Sequence, residues 1–93
     1  MKKEKSSEKR RIQFEYDGYD AHQVWLVGDF NKWDEKKHPM KKSPDGIWKK
    51  TIVISPGRYE YKFKVDQDWV PDPVNQHRCM NEFGTFNCII YVK

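Results

Sequence analysis

The chain has 93 residues, enough for one compact domain with a modest core and too few for two. Aromatic residues make up 15% of it and charged residues 34%, a mixture that excludes a low-hydrophobicity disordered chain and favours a thin, aromatic-cored all-β domain. The formal net charge of +4 arises in the first eleven residues, where six Lys or Arg meet two Glu, while the remainder carries twelve of each sign. So balanced a body does not fit a nucleic-acid reader, which carries its basic face on the domain itself.

Residues 1–11 contain no apolar side chain after Met1 and are expected to form a flexible basic tail, with an arm for an anionic partner as the alternative. Residues 12–93 are the expected folded domain. Ile12, Phe14 and Tyr16 alternate with polar neighbours, the period-two pattern of a strand with one buried face. After the break at Asp17-Gly18-Tyr19-Asp20, the apolar run Val24-Trp25-Leu26-Val27 predicts a central strand with Trp25 in the core, and residues 29–37 a loop. The turn Ser43-Pro44-Asp45-Gly46 leads into a strand over Ile47–Ile54, with Trp48, Ile52 and Ile54 on the core side.

Ser55-Pro56-Gly57 closes that strand, and the clearest alternation follows. Tyr59, Tyr61, Phe63 and Val65 share one face, and Arg58, Glu60, Lys62 and Lys64 the outward one. Residues 70–83 hold Pro71, Pro73, Asn75 and Asn81 without a period and predict an irregular loop; Phe86–Val92 is the last strand. No helical pattern or internal repeat is present, so the expected fold is an immunoglobulin-like antiparallel β-sandwich.

Several chemistries are disfavoured by what the residues lack. No apolar run reaches the length of a membrane span and no hydrophobic segment marks secretion, so a cytoplasmic protein without a membrane partner is expected. Cys79 and Cys88 lack a second pair, and free thiols are favoured over a hairpin disulfide or a metal site. His22, His38 and His77 stand in polar loops without a nucleophile, a surface reading. Asp66, Asp68 and Asp72 are the only local carboxylate cluster for glycoside hydrolysis, and turn capping fits them better. Neither an enzyme nor a cofactor is expected.

Two tryptophans stand on predicted loops, Trp33 in Gly28-Asp29-Phe30-Asn31-Lys32-Trp33 and Trp69 in Asp66-Gln67-Asp68-Trp69. An indole there either folds back against the sandwich edge or offers its face to a ligand. These stretches, together with Pro56-Gly57-Arg58-Tyr59-Glu60-Tyr61-Lys62-Phe63-Lys64-Val65-Asp66, Asp72-Pro73 and Gly84-Thr85-Phe86-Asn87, resemble the family 48 carbohydrate-binding modules. The likeness is strongest to the glycogen-binding domains of AMP-activated protein kinase β subunits. It covers roughly residues 12–93, nearly the whole domain, and implies an early-set immunoglobulin-like sandwich that binds α-1,4-linked glucan without cleaving it.

On that resemblance Trp33 and Trp69 are the stacking rings, and Lys62 and Asn87 hold sugar hydroxyls. Phe83 falls on the loop position where kinase-type modules carry leucine, and Thr85 is a neighbouring contact. Gln67-Asp68 departs from the glycine that often shapes the turn before the second tryptophan. The chemistry suits the ligand: a glucose ring has an apolar C–H face for an aromatic plane and a hydroxyl rim for donors and acceptors. Without the resemblance, Lys62 reads as plain surface, Asn87 equally as a loop-terminating hydrogen bonder, and Phe83 equally as a core plug. The expected partners are glucan and an associated enzyme or kinase subunit; the alternative is a protein-docking module with vestigial sugar binding.

Overall fold

The computed structural model describes residues 8–93, and the expectation of a mobile tail over residues 1–7 lies outside them. Arg10 and Arg11, assigned to the tail by sequence, instead begin β1 (Arg10–Asp17), where they pair with Ile54 and Val53. The other strands are β2 (Val24–Gly28), β3 (Lys41–Lys42), β4 (Ile47–Ile54), β5 (Gly57–Val65), β6 (Asp68–Val70), β7 (Arg78–Met80) and β8 (Phe86–Val92). One sheet runs β1-β4-β3 and the other β2-β5-β8-β7, with β6 also on β5, and every pairing is antiparallel. This is the immunoglobulin-like β-sandwich that the alternating runs predict.

The inner faces interlock through aromatic rings. Phe14 of β1 meets Tyr61 of β5 edge-on at 5.0 Å between centroids, and Tyr16 packs on Phe63 at 5.3 Å. Leu26, Phe63 and Cys88 are fully buried beside them, and Trp48, Ile52 and Ile54 close the core from β4. Each such side chain contributes about 1.5–3 kcal/mol by leaving water. Trp48 satisfies its indole N–H on the Gly18 carbonyl at 2.8 Å, the arrangement a buried tryptophan requires.

Trp25 departs from expectation. It pairs with Lys64 across β5 and with Pro39 on its other side, so it lies on the outer face, half-buried and outside the core cluster. Residues 70–83 are also more regular than predicted, because β6 and β7 lie within or beside them; Trp69 itself sits in β6, opposite Lys64, rather than on a loop. Cys79 and Cys88 are both free. Because Cys79 pairs with Asn87 and Cys88 with Arg78, the thiols lie one register step apart and face opposite sides of the sheet.

Gly28 ends β2 where backbones crowd. A Cβ there would lie 2.5 Å from the Glu60 carbonyl oxygen and 2.7 Å from the Tyr61 Cβ, so only glycine fits. Beyond it, a 3-10 turn over Asp29–Asn31 starts the loop to β3. Asn31 is the buried pin of that loop: its Oδ1 accepts from Gly28 N at 3.0 Å, and its Nδ2 donates to the Leu26 carbonyl at 2.9 Å and to His38 Nδ1 at 2.8 Å. His38 is therefore not a surface residue but a half-buried acceptor, its pKa lowered by burial and by Lys50 and Lys37.

Candidate functional site

The outer face of the larger sheet carries a cleft of about 1220 Å³ whose lining includes Trp33, Lys62, Trp69, Phe83, Thr85 and Asn87, all six residues singled out from the sequence. Three strands, one loop and one turn bring them together. Lys62 sits on central strand β5, between the stretch that pairs with β8 and the stretch that pairs with β6. Asn87 projects from β8, Trp69 from β6, Trp33 from the β2–β3 loop, and Phe83 and Thr85 from the β7–β8 turn.

Trp33 is held in place by more than packing. Lys32 and Trp33 both adopt left-handed backbone, at φ 57° and 59°, which costs a non-glycine residue about 1–2 kcal/mol. Two bonds hold the conformation: Trp33 N donates to the Gly28 carbonyl at 2.9 Å, and its indole Nε1–H donates to Asp29 Oδ1 at 2.9 Å. The other oxygen of Asp29 accepts from Glu60 N at 2.8 Å, tying the loop to β5.

Trp69 is 40% exposed and outside the core cluster. Lys64 lies over its ring at 5.0 Å from the centroid and bridges to Glu35 at 2.6 Å, so a cation–π contact and an ion pair cover one side of the indole. The turn before it closes without the family's glycine, because Asp66 takes the left-handed position at φ 54°. Its carboxylate accepts from His22 N and Gln23 N at 3.0 and 2.9 Å. Asp72 is also occupied structurally, accepting from the Tyr61 hydroxyl at 2.7 Å.

Lys62 corrects the sequence reading in one respect. It lies on the outward parity, opposite Val27, yet is only 6% exposed, because that face is covered here; Val27 is itself fully buried outside the core cluster. Its ammonium donates to Thr85 Oγ1 at 2.9 Å, its single hydrogen-bond partner among the described residues. Burial lowers its pKa. A buried ammonium with three donors and one partner is unusual unless a ligand or solvent completes it.

Asn87 is 7% exposed, and its sequence-based role as a loop terminator is replaced by a side-chain network. Its Nδ2 donates to Glu60 Oε1 at 3.0 Å, and its Oδ1 accepts from Asn81 Nδ2 at 2.9 Å. The Asn87 bond is the main cause that lowers the Glu60 pKa, with Cys79 and Arg58 assisting against burial. Phe83, 81% exposed at the turn's tip, is no core plug. Asn81 and Asp29 are the residues that sequence reading missed; the signal for both was an Asn or Asp at the head of a turn, where such side chains bond nearby backbone N–H groups.

Among the described residues no group of three or more His, Cys, Asp or Glu is placed to hold a metal ion, and no helix is long and apolar enough to cross a membrane.

Comparison with known proteins gives one family and several relatives. The family model described as the glycogen recognition site of AMP-activated protein kinase matches residues 10–93. The chain is 34% identical over 71 residues to 5'-AMP-activated protein kinase subunit beta-2 of Homo sapiens, covering 76% of this chain and 25% of that protein. It is 39% identical over 54 residues to Protein PTST homolog 2, chloroplastic, of Arabidopsis thaliana, covering 58% of this chain and 10% of that one. It is also 50% identical over 48 residues to the 1,4-alpha-glucan branching enzyme GlgB of Lactobacillus acidophilus, covering 50% and 7%. The chain thus spans a quarter or less of the length of these curated relatives.

Proposed function

The chain belongs to the family of glycogen recognition domains described for AMP-activated protein kinase, and from that premise we propose that its outer-face cleft binds an α-1,4-linked glucan without cleaving it. Trp33 and Trp69 stack under glucosyl C–H faces, and Phe83 packs against the chain from the turn's tip. Lys62 keeps two unfilled N–H donors, and Asn87 one donor and one acceptor, for sugar hydroxyls. The Thr85 hydroxyl accepts from Lys62 and Asn81 and donates to Asn81 Oδ1, which fills its capacity. It serves the ligand by holding Lys62.

The observation that carries this reading is the convergence of two indoles, a buried ammonium and a half-satisfied amide on one open face, with the rings outside the core cluster. A cleft of about 1220 Å³ exceeds the roughly 300–1,000 Å³ of a small-molecule pocket and suits an oligosaccharide. Two stacked rings supply about 2 kcal/mol each and hydrogen bonds about 1 kcal/mol each. Association and ordering costs offset much of that, leaving a Kd for short maltooligosaccharides of roughly 10 μM to 1 mM.

The module's role is to place an attached or associated enzyme or kinase on the polymer. Relatives whose names denote a kinase subunit and a branching enzyme support this. The test is retention on glycogen: the wild-type chain is retained, and Trp33→Ala with Trp69→Ala is not, while its unfolding midpoint stays close to wild type. Retention of the folded double variant contradicts the proposal.

A further inference from the structure

Asn81 lies outside the core cluster, yet it is the junction of the cleft's polar wall. Its Oδ1 accepts from Phe83 N at 2.9 Å and from Thr85 N and Oγ1 at 3.1 Å each; its Nδ2 donates to Thr85 Oγ1 at 2.8 Å and Asn87 Oδ1 at 2.9 Å. Its backbone closes the same turn, with Asn81 N on the Thr85 carbonyl at 2.7 Å and Gly84 N on the Asn81 carbonyl at 3.1 Å. Gly84 supplies the left-handed step at φ 81°.

The direction of these bonds is set from one end. The Glu60 carboxylate only accepts, so Asn87 presents Nδ2 to it and Oδ1 to Asn81. Asn81 must therefore offer its nitrogen to Asn87, which leaves its oxygen for the turn's N–H groups. At the far end, Thr85 receives the Lys62 ammonium. One amide thereby fixes the turn that carries Phe83, the hydroxyl that aims Lys62 and the rotamer of Asn87.

We propose that Asn81 is a positioning residue for glucan binding, a member of the cleft wall that preorganises three ligand-facing groups. The proposal rests on the reading that this cleft is a glucan site. Fixing several groups before the ligand arrives removes ordering costs that binding must otherwise meet.

The test is a double-mutant cycle read by maltoheptaose titration. Asn81→Ala and Thr85→Ala each weaken binding about tenfold, the scale of one to two hydrogen bonds, and the double variant binds no worse than the weaker single one. Asn81→Asp keeps the acceptor oxygen for the turn amides and loses the donor nitrogen. It stays folded with a modestly lowered midpoint, because its oxygen faces the Asn87 oxygen, and it loses affinity by a similar factor. Additive losses in the cycle, or wild-type affinity in Asn81→Asp, overturn the inference while the double variant Trp33→Ala with Trp69→Ala still loses binding. A wild-type chain that binds no α-glucan overturns the reading beneath it.

Discussion

Replacing Lys62 by methionine separates the cost of the site from its use. Lys62 is 6% exposed, donates to Thr85 at 2.9 Å and has no carboxylate among its hydrogen-bond partners in the described residues. Methionine keeps the stem's length and removes the charge that burial disfavours. The Thr85 bond it forfeits, about 1.5–3 kcal/mol, is offset by the relieved desolvation of the buried charge, so the unfolding midpoint of Lys62→Met is expected to stay close to or exceed that of the wild type. Glucan binding moves the other way. Each hydrogen bond from a charged donor is worth about 1.5–3 kcal/mol, so losing one weakens maltoheptaose binding about 10- to 100-fold.

The pH dependence has a definite sign. Because burial lowers the folded-state Lys62 pKa below 10.5, the unfolded chain is the more protonated state between the two values. Stability from this group therefore rises with pH across that alkaline window, and the full penalty stands at neutral pH. Affinity falls across the same window as the ammonium loses its proton. Calorimetric titration and thermal unfolding of both proteins, from neutral to alkaline pH, read both effects. Wild-type affinity in Lys62→Met, or a large drop in its midpoint, refutes the reasoning.

Three further outcomes are expected. Gly28→Ala places a methyl 2.5 Å from a backbone oxygen that cannot yield, lowering the unfolding free energy in urea by about 2–3 kcal/mol; a loss below half of that contradicts the crowding described. Lys32→Gly relieves a left-handed residue at φ 57° and raises stability by about 0.5–1 kcal/mol, with maltoheptaose affinity unchanged. His38, whose pKa is lowered from 6.5, leaves the unfolded chain more protonated just below that value. Stability therefore falls as pH drops from 6.5 through the folded pKa, and His38→Gln, compared by thermal unfolding, loses this dependence.

The sandwich was legible wherever alternation met turn signals: Ile47–Ile54 and Phe86–Val92 have the predicted bounds, and the inner face of β5 is the predicted one. Trp25 was misplaced because four consecutive apolar residues carry no period, leaving parity to be set by pairing with Lys64 and Pro39. The three-residue strands β6 and β7 are too short to alternate visibly. The site's side chains could be named from motifs, but their states could not. The burial of Lys62 depends on segments remote in sequence that meet over β5, and the role of Asn81 exists only through partners on a turn and on β8. Both are properties of assembled contacts, for which a single polar residue in a loop gives no period.

The central claim, that Trp33 and Trp69 form an α-glucan platform, is tested most directly by tryptophan fluorescence of the wild-type chain titrated with maltoheptaose and with cellohexaose, each at low and high salt. The account predicts a saturable change with maltoheptaose at a Kd of roughly 10 μM to 1 mM, little altered by salt, and no saturation with cellohexaose. An equal response to both sugars, or none to either, contradicts it.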